Sequence, residues 1–184
     1  MNSKTITNVF IRIGIVATMY YLVDVNLNHH SSRLKYEKAL QAFLRRDTPE
    51  MLSHLRSAYI MDKNNKFINE TYCKTLAKHN EKGAIQTLKE IISQSPHPNY
   101  FVALGRNYLR NEKFDSADYC FTQAHYAQPF LLTPLYWKAK NFYAQGDNAS
   151  GDSIALVVIN KKPKVKSAST ILLKQRLKKM LKNS

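Results

Sequence analysis

Small residues recur through this chain at a fixed spacing, and the spacing excludes most folds. Counting from Pro98, Phe101 is fourth, Leu104 seventh, Gly105 eighth and Tyr108 eleventh, while Ala117 is twentieth, Phe121 twenty-fourth, Ala124 twenty-seventh and Pro129 thirty-second. Two helices approach closely only where one side chain is small. Gly105 and Ala117 leave that space at one crossing, and Ala124 leaves it at the next. Tyr108 and Phe121 fill the gaps around them. Pro129 ends the second helix because it cannot continue the hydrogen-bond ladder. The same register recurs from Leu132 (Leu135, Ala139, Phe142, Gly151, Val158, Pro163), from Asn65 (Ile68, Ala84, Leu88, Ile91, Pro96) and from Ser32 (Ala39, Ala42, Leu55, Ala58). The starts at 32, 65, 98 and 132 are 33, 33 and 34 residues apart.

A helix–turn–helix unit of about 34 residues with these small and large positions resembles the tetratricopeptide repeat. The fold class expected is therefore all-α: a helix–turn–helix solenoid of four pairs (32–64, 65–97, 98–131 and 132–167), preceded by one N-terminal hydrophobic helix in residues 1–31. A basic helix at 168–184, with Leu173, Leu177, Met180 and Leu181 on one face, closes the array. The resemblance implies a groove lined by the first helix of each pair. Its residues here are Tyr36, Leu40, Asn69, Cys73, Val102, Arg106, Leu109, Arg110, Tyr136, Lys140 and Tyr143. Arginines and a lysine beside tyrosines suit an extended acidic or C-terminal peptide of a partner protein. The carboxylate clamp of chaperone-binding members is not matched, because Glu70 and Cys73 stand where basic or amide groups belong.

The chain carries a formal net charge of +15 over 184 residues. After Asp152 there is no acidic residue and nine Lys or Arg follow. Such a tail suits anionic lipid or nucleic acid, although no aromatic residue after Tyr143 is present to stack on bases. At the other end, Ile13–Val23 is eleven residues without a charge, and extension back to Val9 admits Arg12. A spanning helix needs about 20 apolar residues. Three readings stand: a single-pass anchor with Arg12 snorkelling and Tyr20 and Tyr21 at the interface, a cleaved signal peptide lacking a small-x-small cleavage site, and an amphipathic helix packed on the body. The anchor is the expectation taken forward. Lys4 and Arg12 precede the segment, whereas Arg33, Lys35, Lys38, Arg45 and Arg46 follow it, so the positive-inside rule puts the repeats in the cytoplasm.

Catalytic signatures are missing from the sequence. There is no Gly-rich phosphate loop, HExxH or GxSxG. In "GDNASGDS" (146–153) the calcium-ligand positions after Asp147 fall on Ala149 and Gly151. His29 and His30 are adjacent and diverge on a helix. Cys73 and Cys120 form no CxxC pair and read as packing residues. The sequons at Asn69 and Asn148 fall in helix or turn. The expectation is a non-enzyme with no cofactor, metal or small-molecule substrate, for which nucleic acid is a poor partner.

A narrower resemblance lies in "AHYAQPFLLTPLYWKAKNFYAQGD" and "INKKPKVKSAST". These stretches are similar to the repeat-bearing C-terminal tail of O-antigen ligase and polymerase-like membrane proteins. Pro129, Pro134, Leu135, Tyr136, Pro163, Val165, Ser167 and Thr170 occupy the matching places, and "YYLVDVNLNHHSSRLKYEKAL" looks like the exit from a last spanning helix. The multi-spanning portion that performs sugar-polymer chemistry has no counterpart here. The resemblance implies a setting, surface-polysaccharide assembly at a bacterial inner membrane, and no catalytic residues.

Overall fold

The computed structural model describes residues 3–79, 83–162 and 167–182, with side chains from Ile13 onward. Among the described residues the chain forms nine α-helices and no strand. They are α1 (Ser3–Leu44), α2 (Thr48–Met61), α3 (Lys66–Lys78), α4 (Ala84–Gln94), α5 (Pro98–Arg110), α6 (Phe114–Ala127), α7 (Leu132–Gln145), α8 (Asn148–Asn160) and α9 (Ala168–Leu181). The chain divides into two compact units, Met1–Tyr72 and Cys73–Ser184, and the division falls inside α3.

In the first unit α1 is one uninterrupted helix of 42 residues. The boundary expected between residues 31 and 32 therefore lies within it. The physical reason is local: from Ser3 to Leu44 there is no proline and only Gly14 among the glycines. The helix changes character along its length. Every side chain from Ile13 to His30 is exposed, whereas Ser32, Ala39 and Ala42 are buried. The two alanines let α2 pack against α1 with Met51, Leu52, Leu55, Ala58 and Tyr59 inside. Tyr59 and Tyr72 meet with ring centroids 5.7 Å apart. Among the described residues no helix is long and apolar enough to cross a membrane. The side chains of Lys4 and Arg12, used in the anchor reading, lie outside the described ones.

One turn design serves three of the helix pairs. Arg46, Glu112 and Gly146 have φ of 61°, 55° and 80°. At each, the amide of the left-handed residue and the next amide donate back to the closing turn of the helix: Arg46 N to Phe43 O and Asp47 N to Ala42 O, Glu112 N to Leu109 O and Lys113 N to Tyr108 O, Gly146 N to Tyr143 O and Asp147 N to Phe142 O. This is a Schellman ending, which satisfies carbonyls that would otherwise be orphaned. Asp47 and Asp147 then start the next helix, each side chain accepting an amide hydrogen bond (from Glu50 N and Ser150 N). Glycine suits the left-handed position best, yet only Gly146 uses it.

In the second unit α5 and α6 pack antiparallel with the middle of one against the middle of the other. A Cβ built on Gly105 would lie 2.5 Å from Phe121 Cε1, so only glycine permits this approach. Phe121, Ala117 and Ala124 are fully buried beneath it. A side chain the size of Phe121 contributes roughly 1.5–3 kcal/mol by leaving water. α7 follows α6 antiparallel, tied by Asn141 Nδ2 donating to Phe114 O at 3.1 Å and by Lys138 Nζ at 3.0 Å from Asp118 and 2.8 Å from Thr122 Oγ1. Leu132, Tyr136 and Ala139 of α7, Ala155 and Val158 of α8 and Leu177 of α9 form one core, with Leu173 and Met180 packed against it. α9 starts at a reciprocal Ser167–Thr170 capping box. Lys174 of the basic tail donates to Ile159 O at 2.8 Å and Lys161 O at 2.7 Å, closing the end of α8. Pro163 and Val165 of the second resemblance lie outside the described residues.

Candidate functional site

Within the second unit α5 contacts α7, and α7 contacts α9. The shared face carries Arg106 and Arg110 from α5, Trp137 and Lys140 from α7 and Arg176 from α9. Helical spacing explains the selection. Arg106 and Arg110 are four residues apart and so neighbours on α5. Trp137 and Lys140 are three apart and neighbours on α7. Lys138, one residue from Trp137, turns the other way and pairs with Asp118 of α6 at 3.0 Å.

Trp137 is the centre of the face. Its ring stacks on the buried Phe121 (centroids 6.4 Å, planes 23° apart) and meets the edge of Tyr136 at 5.4 Å. Arg106 Cζ lies 4.5 Å and Lys140 Nζ 5.0 Å from the ring centroid. Both are cation–π contacts. Two half-buried cations thus share one aromatic ring. Burial pushes the Arg106 pKa down, with Arg110 adding to the push and Tyr136 opposing it. Burial also lowers the Lys140 pKa, with Arg106 and then Arg176 reinforcing it. Both lose solvation and gain positive neighbours, and among the described residues neither has a salt-bridge partner. Arg106 Nε is buried without a hydrogen-bond partner. A buried donor left unmatched costs free energy.

The residues expected to line the groove meet different fates. Arg106, Lys140 and the exposed Arg110 lie on the face just described, with Leu109 half-buried. Val102 and Tyr136 are 7 % and 4 % exposed and belong to the interior. Tyr143 packs over Gly151, and its hydroxyl donates to Asp152 Oδ1 at 2.7 Å. Burial first, then that bond, push its pKa above the usual tyrosine value. It joins α7 to α8 rather than facing a ligand. In the first unit Asn69 is 3 % exposed and donates to Lys63 O at 2.7 Å, bracing the turn before α3. Tyr36 lies edge-on to Phe67 with centroids 5.2 Å apart, beside the exposed Leu40. Cys73 and Cys120 are buried, and burial pushes the Cys120 thiol up to about 12. Trp137 was missing from the expected set. It is the only tryptophan in the chain, set between Tyr136 and Lys140, and those two facts are the signal that marks it.

Other sequence features resolve into structural parts. Asp147 caps α8 and Asp152 holds Tyr143, so "GDNASGDS" is a helix start. His29 Nδ1 sits 2.7 Å from Asp62 Oδ2. Among the described residues no three His, Cys, Asp or Glu side chains converge as a metal site would require. Comparison with protein-family models, with curated proteins and with solved structures finds no match.

Proposed function

We propose that this chain is a non-enzymatic interaction module of tetratricopeptide type, held at a membrane by the N-terminal part of α1. The observation that carries the tether is the exposure of α1: Ile13, Val16, Met19, Tyr21, Leu22 and Val25 are each 44–66 % exposed and fall on all sides of the helix. A helix apolar all round belongs in lipid or in a core, and an exposed apolar surface of this extent marks an interaction site. The described run is short of a full crossing by itself, so the reading is of a tether seated in lipid rather than a span shown by these side chains. Support for the repeat reading comes from the 33- and 34-residue register and from the recurring left-handed turn at Arg46, Glu112 and Gly146. The partner is a protein held on the face of α5 and α7. The setting, by the resemblance of residues 124–170, is surface-polysaccharide assembly at a bacterial inner membrane, with the helix pairs on the cytoplasmic side.

Carbonate extraction of membranes tests the tether. Retention of the full chain and release of a chain lacking residues 1–31 support it; release of both leaves a soluble adaptor. Side is read with a cysteine at exposed Ser153 (Ser153→Cys), because Cys73 and Cys120 are buried and do not report. Labelling only after the membrane is opened from the cytoplasmic side supports the orientation, and labelling from outside reverses it.

A further inference from the structure

We propose that the face shared by α5, α7 and α9 is an anion subsite, built by Arg106, Arg110, Lys140 and Arg176 around Trp137, which takes the carboxylates of an acidic segment of a partner protein. This deepens the interaction-module reading and rests on it for the protein nature of the ligand.

Three observations converge. First, Arg106 and Lys140 lie over one ring, Arg110 follows Arg106 by one helical turn and Arg176 of α9 is near enough to act on Lys140; among the described residues none of the four is in an ion pair, although Lys138 close by has its Asp118. Like charges left together in a folded protein repel, and a multivalent anion relieves that repulsion. Second, the Arg106 side chain is only half-buried, and its carbon centre is fixed 4.5 Å over Trp137. A guanidinium pinned by its face presents its edge, the geometry that grips a carboxylate with two parallel hydrogen bonds. Third, the Trp137 ring is already covered by Arg106, Lys140 and Phe121. A nucleobase would need an open aromatic face to stack on, and here that face is taken. Carboxylates need only the donors. Arg106 and Arg110 stand one helical turn apart, so two acidic side chains of an extended segment can be held at once.

The test uses the full chain and the fluorescence of Trp137, the sole tryptophan. The probes are hexaglutamate and hexaglutamine peptides, inorganic phosphate, a six-nucleotide DNA strand and vesicles of phosphatidylglycerol. Saturable hexaglutamate binding that hexaglutamine does not show is expected. It should weaken about tenfold or more in R106Q/K140Q, as loss of charge-assisted hydrogen bonds requires. The variant K113Q/K162Q removes the same two charges from exposed positions and should bind as the parent does. Melting curves of all variants check folding, and Arg106→Lys, which keeps the charge but not the fork, should recover only part of the binding. Equal loss in both double variants would overturn the subsite in favour of diffuse attraction to a +15 chain. Tighter, Arg106-dependent binding of the DNA or of the vesicles would overturn the acidic-protein assignment. Equal response to phosphate and hexaglutamate would also overturn it. The two proposals fail separately: partner capture untouched by R106Q/K140Q removes the subsite and leaves the module, while loss of membrane retention leaves the subsite intact.

Discussion

Replacing Gly105 by alanine puts the helix crossing of α5 and α6 to a quantitative test. The added methyl would lie 2.5, 2.8 and 2.9 Å from Cε1, Cδ1 and Cζ of Phe121. Real side chains do not tolerate such distances, so either the ring or the helix moves. The ring has nowhere to go: Phe121 is fully buried and stacked on Trp137. Forcing a methyl into such a site costs ~1–3 kcal/mol. Alanine in place of mid-helix glycine returns ~1 kcal/mol through helix propensity. The net expectation is a loss of up to about 2 kcal/mol, with a fall in Tm of roughly 2–4 °C for each kcal/mol lost. Urea unfolding followed by circular dichroism measures it, and Trp137 emission reports the ring displacement independently. Phe121→Leu removes part of the ring that the methyl strikes. Gly105→Ala should therefore cost less in that background, with a coupling energy of about 1 kcal/mol. A Gly105→Ala chain more stable than the parent by the propensity term alone, or strict additivity with Phe121→Leu, would refute the close approach.

Three further outcomes follow from the same geometry. Glu112→Gly relieves a left-handed residue (φ 55°) and should raise stability by about 0.5–1 kcal/mol, the αL penalty less the entropy of glycine, in urea unfolding; Gly146→Ala should lower it by about as much. Lys174→Met keeps the stem but removes two donors to the carbonyls of Ile159 and Lys161, with an expected loss of ~1–2 kcal/mol and faster amide exchange at the end of α8. Burial, then Lys161 and Lys138, hold His125 below its ordinary pKa. The unfolded state takes up the proton first, so His125 contributes its full stability above pH about 6.5 and loses it as pH falls through that value toward the folded pKa; His125→Gln should flatten this acid limb of the stability curve.

Much of the architecture was legible because it is written locally. Pro98, Pro129, Asp47, Asp147 and Gly146 are start and stop signals whose effect does not depend on distant residues. The small positions Gly105, Ala117, Ala39 and Ala42 are legible for a related reason, since a helix pair joined by a short turn brings only near neighbours together. The boundary read at residue 31 falls inside α1, because no residue there interrupts a helix; a change from exposed to buried surface does not end a hydrogen-bond ladder.

The candidate site was legible in its residue types and not in its membership. Repeat position nominated Asn69, Val102, Tyr136 and Tyr143 on the same footing as Arg106 and Lys140. Packing separated them: Asn69 was drawn into a turn, Val102 and Tyr136 into the interior, and Tyr143 onto Asp152. Trp137, Arg106, Lys140 and Arg176 come from three helices spread over about 70 residues of chain, so no local pattern announces that they share a face. The sequence by itself determined an all-helical chain, its turn chemistry and its excess of positive charge, because these follow from residue type and short-range spacing. Only the tertiary structure decided which cations lost their solvent and were left without an acidic partner, because desolvation and pairing depend on what other helices bring alongside.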